Sequence, residues 1–153
     1  MKKLSVYIIL FITFFYAVFF SSCRQKAAQV GPVLFEVLKE DKTNLHFSNN
    51  LKPTPEFNML KYMYYYNGAG VAAADFNHDG RIDLFFAGNQ VQNTMCLNEG
   101  NMQFKDVTRG AHIPVENAWS TGVNVVDINN DSLSDLYICR VGNFKTLKGK
   151  NQL

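Results

Sequence analysis

Two stretches of this chain decide its fold. The first is Gly70-Val71-Ala72-Ala73-Ala74-Asp75-Phe76-Asn77-His78-Asp79-Gly80-Arg81-Ile82-Asp83-Leu84-Phe85-Phe86. The second is Gly122-Val123-Asn124-Val125-Val126-Asp127-Ile128-Asn129-Asn130-Asp131-Ser132-Leu133-Ser134-Asp135-Leu136-Tyr137-Ile138. Laid over each other without a gap, Asp75 meets Asp127 at an offset of 52 residues, and seven of seventeen positions agree (Gly, Val, Asp, Asn, Asp, Asp, Leu). Each copy reads as a strand, a short acidic loop and a second apolar strand. A sandwich carrying an accidental repeat is the competing architecture.

Working outward, the first copy continues. Thr94-Met95-Cys96-Leu97 predicts a third strand, Asn98-Glu99-Gly100-Asn101 a turn, and residues 102–108 a fourth strand. Asn151-Gln152-Leu153 resembles Asn93-Thr94-Met95, at an offset of 58, so a small insertion is expected within residues 141–150. Three or four short strands per unit at this period predict an all-β fold of β-propeller blades, about two of them with the second incomplete, over residues 61–153. Blades bury their core against neighbours, so such a piece reads as a fragment of a longer protein. Residues 23–60 read as a tether with one strand (Leu45-His46-Phe47), and Lys61-Tyr62-Met63-Tyr64-Tyr65-Tyr66 as an aromatic strand-like stripe. Such a stripe is either the packed face of a blade or a platform for stacking sugars or bases.

The loops carry the chemistry. Asp75, Asn77, Asp79 and Asp83 place oxygen side chains at loop positions 1, 3, 5 and 9, and the Arg81 carbonyl stands at position 7. Alternate residues of a tight loop point inward, so these hard oxygen donors suit Ca²⁺. Gly80 supplies the turn at position 6, and His78 is expected to face outward. The second loop offers Asp127, Asn129, Asp131, the Leu133 carbonyl and Asp135. Ser132 replaces the glycine there, which predicts a weaker or less rigid site. Asx-rich turns that bind nothing are the alternative for both loops. An EF-hand is excluded, because position 12 is Phe86 or Ile138 instead of a bidentate Glu and the flanks are strand-like.

The N-terminus reads as an address. Met1-Lys2-Lys3 is basic, residues 4–20 carry no charge, and Ser21-Ser22-Cys23 precede a polar segment. This is the pattern of a secretory signal helix over residues 1–22. Cys23 stands where a lipobox cysteine is lipidated, although Phe20 and Ser22 depart from the usual residues; an uncleaved anchor with an incidental cysteine is the competitor. A lipid chain would tether the protein to a membrane without spanning it, in the outer membrane or at the cell surface of a bacterium. Cys96 and Cys139 lie in apolar stretches and read as small buried hydrophobes rather than as a disulfide.

Composition closes off other classes. With 47% apolar residues and a net charge of +2, no clustered basic face points to nucleic acid. Thirteen Phe and seven Tyr favour strands. No Gly-x-Ser-x-Gly, no metal-type His pair and no Cys–His signature suggests an enzyme.

The two loops, together with Asn98-Glu99-Gly100-Asn101-Met102-Gln103-Phe104-Lys105-Asp106-Val107-Thr108 and Trp119-Ser120-Thr121-Gly122, resemble the FG-GAP/VCBS repeat family. They look closest to the branch with cartilage acidic protein and bacterial proteins ending in an ASPIC/UnbV domain. The resemblance covers about residues 44–153. It implies a β-propeller with Ca²⁺ in its loops, serving as a binding or adhesion module for a protein or glycan ligand. An ASPIC/UnbV segment is not among these residues. The alternatives are a piece of a propeller-scaffold enzyme acting on polysaccharide and a truncated product without a function of its own.

Overall fold

A computed structural model describes residues 31, 34–114, 118–145 and 147–153. The signal helix and Cys23 lie outside the described residues. The chain divides into two compact units, Met1–Val37 and Leu38–Leu153. In the first, residues 34–37 are irregular and exposed.

The second unit is almost all sheet. A single helical turn, α1 (Glu40–Thr43), precedes β1 (Val71–Ala74), β2 (Asp83–Phe86), β3 (Thr94–Gly100), β4 (Gln103–Asp106), β5 (Ser120–Val126) and β6 (Asp135–Arg140). β1 to β4 form one antiparallel meander in sequence order, and β5 pairs with β6 in a second sheet. The fold is all-β, as the repeat predicts: two consecutive propeller blades, the first of four strands. Where the third strand of the second blade is expected, Gln152 makes a single antiparallel bridge to Ile138. Ile138 N–H donates to the Gln152 carbonyl at 2.8 Å, and Gln152 N–H returns the bond to Ile138 at 3.0 Å.

The period-2 alternation sets which face is buried. Phe85, Ala72 and Ala87 of the first blade meet Met95 and Ile138 in one buried cluster, with Val123, Val125 and Leu136 packed against it. The apolar core therefore lies between the two sheets. β1 runs beside β5, and the repeat glycines make that approach possible. A Cβ on Gly70 would stand 2.6 Å from Val123 N and 3.0 Å from Gly122 C. No side chain fits such a gap, so here the glycine serves the close passage of two backbones.

Two segments differ from expectation. Residues 45–47 form no strand and have no ladder partner. They lie on the first blade through a Phe47–Phe86 stack at 4.9 Å and an amide pair, in which Asn49 Nδ2 donates to Asn89 Oδ1 at 2.6 Å and Asn89 N–H to Asn49 Oδ1 at 3.0 Å. The tyrosine stripe is not a strand either. Asn58 C=O accepts the N–H groups of Lys61 and Tyr62 at 3.1 and 2.9 Å, and its side-chain oxygen accepts Leu60 N–H at 3.0 Å. The result is a knot of turns.

The knot closes over an aromatic cluster at the start of the strands. Phe57 meets Tyr65 at 5.2 Å and Trp119 at 4.9 Å, both edge-on, and Tyr62 meets Phe144 at 4.7 Å. Tyr65 and Trp119 are buried. Edge-to-face rings add about 0.5–1.5 kcal/mol per pair beyond burial.

Candidate functional site

Each acidic loop leaves the first strand of its blade and returns as the second, so β1–β2 and β5–β6 hold the two loops at the same end of their sheets. In the first loop, Asp79 N–H donates to Asp75 Oδ1 at 3.0 Å and to Asn77 Oδ1 at 3.2 Å, and Gly80 N–H donates to Asp75 Oδ2 at 2.8 Å. In the second, Asp131 N–H donates to Asp127 Oδ1 at 3.0 Å and to Asn129 Oδ1 at 3.2 Å, and Ser132 N–H donates to Asp127 Oδ2 at 2.8 Å. The loops agree bond for bond.

Their backbones agree as well. Positions 4 and 6 are left-handed in both: His78 (φ 58°) and Gly80 (φ 82°), then Asn130 (φ 60°) and Ser132 (φ 69°). The sequence reading anticipated the turn at position 6 only. Position 4 tolerates this conformation in Asn and His better than in most residues. Ser132 adopts the left-handed turn without glycine, at a cost of about 1–2 kcal/mol for a residue with a Cβ. His78 is exposed, as anticipated.

The candidate ligands fall into two groups. Asp75, Asn77 and Asp79 gather at the open side of the loop, as do Asp127, Asn129 and Asp131 in theirs. Asn77 Nδ2 donates to Asp79 Oδ2 and Asn129 Nδ2 to Asp131 Oδ2, each at 2.8 Å. The Asn77 amide, then the Arg81 N–H and guanidinium, hold Asp79 below the usual carboxylate range. The Leu133 N–H, then the Asn129 amide, do the same for Asp131. Asp83 sits differently. It is fully buried, with Phe76 N–H donating to one oxygen at 3.0 Å and Asn98 N–H to the other at 2.8 Å. Asp135 is half-buried and accepts Ile128 N–H at 3.1 Å. Both position-9 aspartates thus tie the loop's start to the returning strand.

Arg81 carries a feature that its role as a carbonyl donor hid. Its Nη2 donates to Asp79 Oδ2 at 2.5 Å and its Nε to the Asn98 carbonyl at 2.6 Å. A positive charge is therefore already seated on one carboxylate of the first loop. Leu133, at the same place in the second loop, brings none. Among the described residues, no three His, Cys, Asp or Glu side chains are gathered closely enough to hold a metal by themselves. The all-oxygen donor set suits a hard cation chemically, provided that the amide and carbonyl oxygens take part and Arg81 gives way.

Sequence reasoning missed a set of asparagines and explained the Phe-x-Asp-Val-Thr motif only by resemblance. Asn98 buttresses the first loop: its Nδ2 donates to the Ile82 carbonyl at 3.0 Å while its own N–H holds Asp83. Asn89, buried, donates through Nδ2 to the carbonyls of Gly68 at 3.0 Å and Ser120 at 2.7 Å. In the motif, Phe104 is core, Asp106 Oδ1 accepts Thr108 N–H at 2.8 Å, and Thr108 Oγ1 accepts Met95 N–H at 3.0 Å. The motif is the clasp that fastens the end of β4 to the start of β3. Cys96 and Cys139 are free thiols; Cys96 is buried, and burial with the nearby Asp106 charge pushes its pKa up to about 11.

Antiparallel sheets side by side, each with an acidic loop after its inner strand, define a repeat module of the propeller-blade class. Residues 75–138, which run from the first acidic position of one loop to the strand after the other, match the family model of the FG-GAP-like repeat. No curated protein and no solved structure matches the chain.

Proposed function

We propose that this chain is a binding module of propeller blades whose two loops take Ca²⁺, exported and held at a membrane by a lipid on Cys23, with a protein or glycan as its ligand. The observation that carries the cation reading is the identity of the two loops: six acidic residues sit in two copies with the same bonds and the same left-handed positions. Asp75, Asn77, Asp79, the Arg81 carbonyl and Asp83 would serve the first ion. Asp127, Asn129, Asp131, the Leu133 carbonyl and Asp135 would serve the second. A bound ion would neutralise carboxylates that otherwise repel one another, and so stiffen the end of the sheets that presents them. Rigid strands that present loops suit recognition, and the FG-GAP-like repeat is in general a binding-type module. The lipobox-like Ser21-Ser22-Cys23 supports export and anchoring.

The test is thermal unfolding of the full chain with Ca²⁺, Mg²⁺ or chelator. A ligand that binds only the native state raises the melting temperature with its concentration. Saturable stabilisation by Ca²⁺, lost in the Asp79→Ala/Asp131→Ala double variant, supports the reading. A cooperative melt indifferent to Ca²⁺ overturns it.

A further inference from the structure

At the end of the strands opposite the acidic loops stands the turn knot of residues 58–67. β1 and β5 begin at this end and finish at the acidic loops, and residues 141–145 follow β6 back to it, with Val141 N–H donating to the Trp119 carbonyl at 2.9 Å. The knot is sorted by side. Phe57, Tyr62 and Tyr65 turn inward onto Trp119 and Phe144. That fixes the outward direction of the others: Leu60 is 92% exposed, Met63 76%, Tyr66 61% and Tyr64 57%, with Met59 beside them. An apolar group of this kind, held out on one tip by its own packed base, marks an interaction surface.

Charge says which kind. The segments around the knot, residues 52–70, 141–145 and 147–150, carry Lys52, Lys61, Lys145, Lys148 and Lys150 against Glu56 alone, a balance of +4. Lys52 and Leu147 line one cavity of about 430 Å³ with Phe57 and Trp119. Lys145 Nζ donates to the Glu56 carbonyl at 2.5 Å and lies 5.7 Å from the Phe144 ring centroid. The opposite end carries six aspartates in its two loops against Arg81, a balance of −5. Within residues 38–153 these basic segments stand beside the apolar tip, and the two acidic loops stand at the other end of the strands.

We infer that residues 59–66 are a docking tip for an anionic lipid bilayer. Leu60, Met59 and Met63 enter the boundary between headgroups and acyl chains, to a depth of about 5–10 Å. Tyr64 and Tyr66 lie at headgroup level, where an apolar ring with a polar hydroxyl is at home. Lys61 and Lys52 face the lipid phosphates, with Lys145 behind them, and the acidic loops are repelled to the far side. The contact does not depend on Ca²⁺ or on the lipid at Cys23, so it stands or falls separately from the function proposed above. It would fix how the blades face the membrane.

The experiment places an emitter on the tip. The full chain carrying Leu60→Trp is bound to phosphatidylglycerol–phosphatidylethanolamine vesicles, with and without brominated acyl chains. Trp119, 2% exposed, is the internal reference, and its unchanged emission in the parent chain reports an intact fold. The emission added at position 60 should shift to the blue and fall about twofold in brominated vesicles, as insertion into the acyl boundary requires. Lys61→Glu with Lys145→Glu should remove most of that quenching. Emission quenched by aqueous acrylamide and untouched by brominated lipid overturns the inference and leaves the tip to a protein surface or a second copy. Equal quenching in phosphatidylcholine vesicles overturns the anionic preference.

Discussion

Asn93 holds in the first blade the place that Asn151 holds in the second. The side-chain oxygen of each accepts a backbone N–H just where the second strand of its blade ends, Gly88 at 2.9 Å and Arg140 at 3.0 Å. The donors are 52 residues apart and the acceptors 58, so the bond is kept across an insertion of six residues. Asn93 has a further duty, accepting the Ser120 hydroxyl at 3.0 Å across the blade boundary.

Replacing Asn93 with Leu leaves the Gly88 N–H and the Ser120 hydroxyl without that partner in a buried place. Each unsatisfied group costs about 1–3 kcal/mol. Urea unfolding should show a loss of about 2–5 kcal/mol from the pair, whereas Asn93→Asp, which keeps the acceptor, should lose less. Equal losses for both variants would count against this bond network.

The two repeat glycines should respond unequally to a methyl group. At Gly70 the new Cβ would meet Val123 N at 2.6 Å, whereas at Gly122 its nearest neighbour is the Cys139 Cβ at 3.9 Å. Gly70→Ala must push the blades apart and should cost about 1–3 kcal/mol or more as an overpacked site. Gly122→Ala should stay within about 1 kcal/mol of the parent. Denaturant midpoints of the two variants decide it, and a reversed order would refute the packing of β1 on β5.

Arg81 competes with any cation for Asp79, so Arg81→Leu should make the first loop resemble the second. Calorimetric titration should then show tighter Ca²⁺ binding at the first loop, by about tenfold for the removal of one nearby charge–charge contact of about 1.4 kcal/mol. Asp79 and Asp131 are both held below the usual carboxylate range. A carboxylate with a depressed pKa keeps its charge, and the stability that charge contributes, above its unfolded value of about 4; both are lost only as pH falls through the lower folded value. Ca²⁺ affinity should therefore be flat from neutral pH to about 5 and collapse below the usual carboxylate range. A midpoint near 6 would mean that some other group controls the loops.

Burial and the Asp106 charge keep the Cys96 thiol protonated, with its pKa pushed up to about 11. The thiolate is the reactive form. Iodoacetamide at pH 8 should leave Cys96 unmodified in the folded chain and label it after unfolding in urea. Labelling of the native protein at this position, read by peptide mass, would contradict the packing of β3.

Much of this was legible because it is local or repeated. The acidic loops, their flanking strands and the third strand of the first blade follow from Asp, Asn and Gly at fixed offsets, which copy a short-range geometry. The tyrosine stripe misleads because Tyr favours strands, yet Asn58 caps a turn there and Phe57 draws Tyr62 and Tyr65 to one side. Asn89 was unreadable for another reason: its partners Asn49, Gly68 and Ser120 lie 40, 21 and 31 residues away. The Arg81 side chain was overlooked because position 7 was judged by its carbonyl alone. Pattern reveals what a segment does to itself. The bonds of one segment with another need the fold.

The amide pair between Asn49 and Asn89 has a mechanical meaning. Tension on the chain ahead of Asn49 is passed through two parallel hydrogen bonds to a side chain that also grips Gly68, before β1, and Ser120, at the start of β5. A load at Asn49 is therefore shared between both sheets. Asn89 is thus the point at which a pull at Asn49 becomes a pull on both sheets.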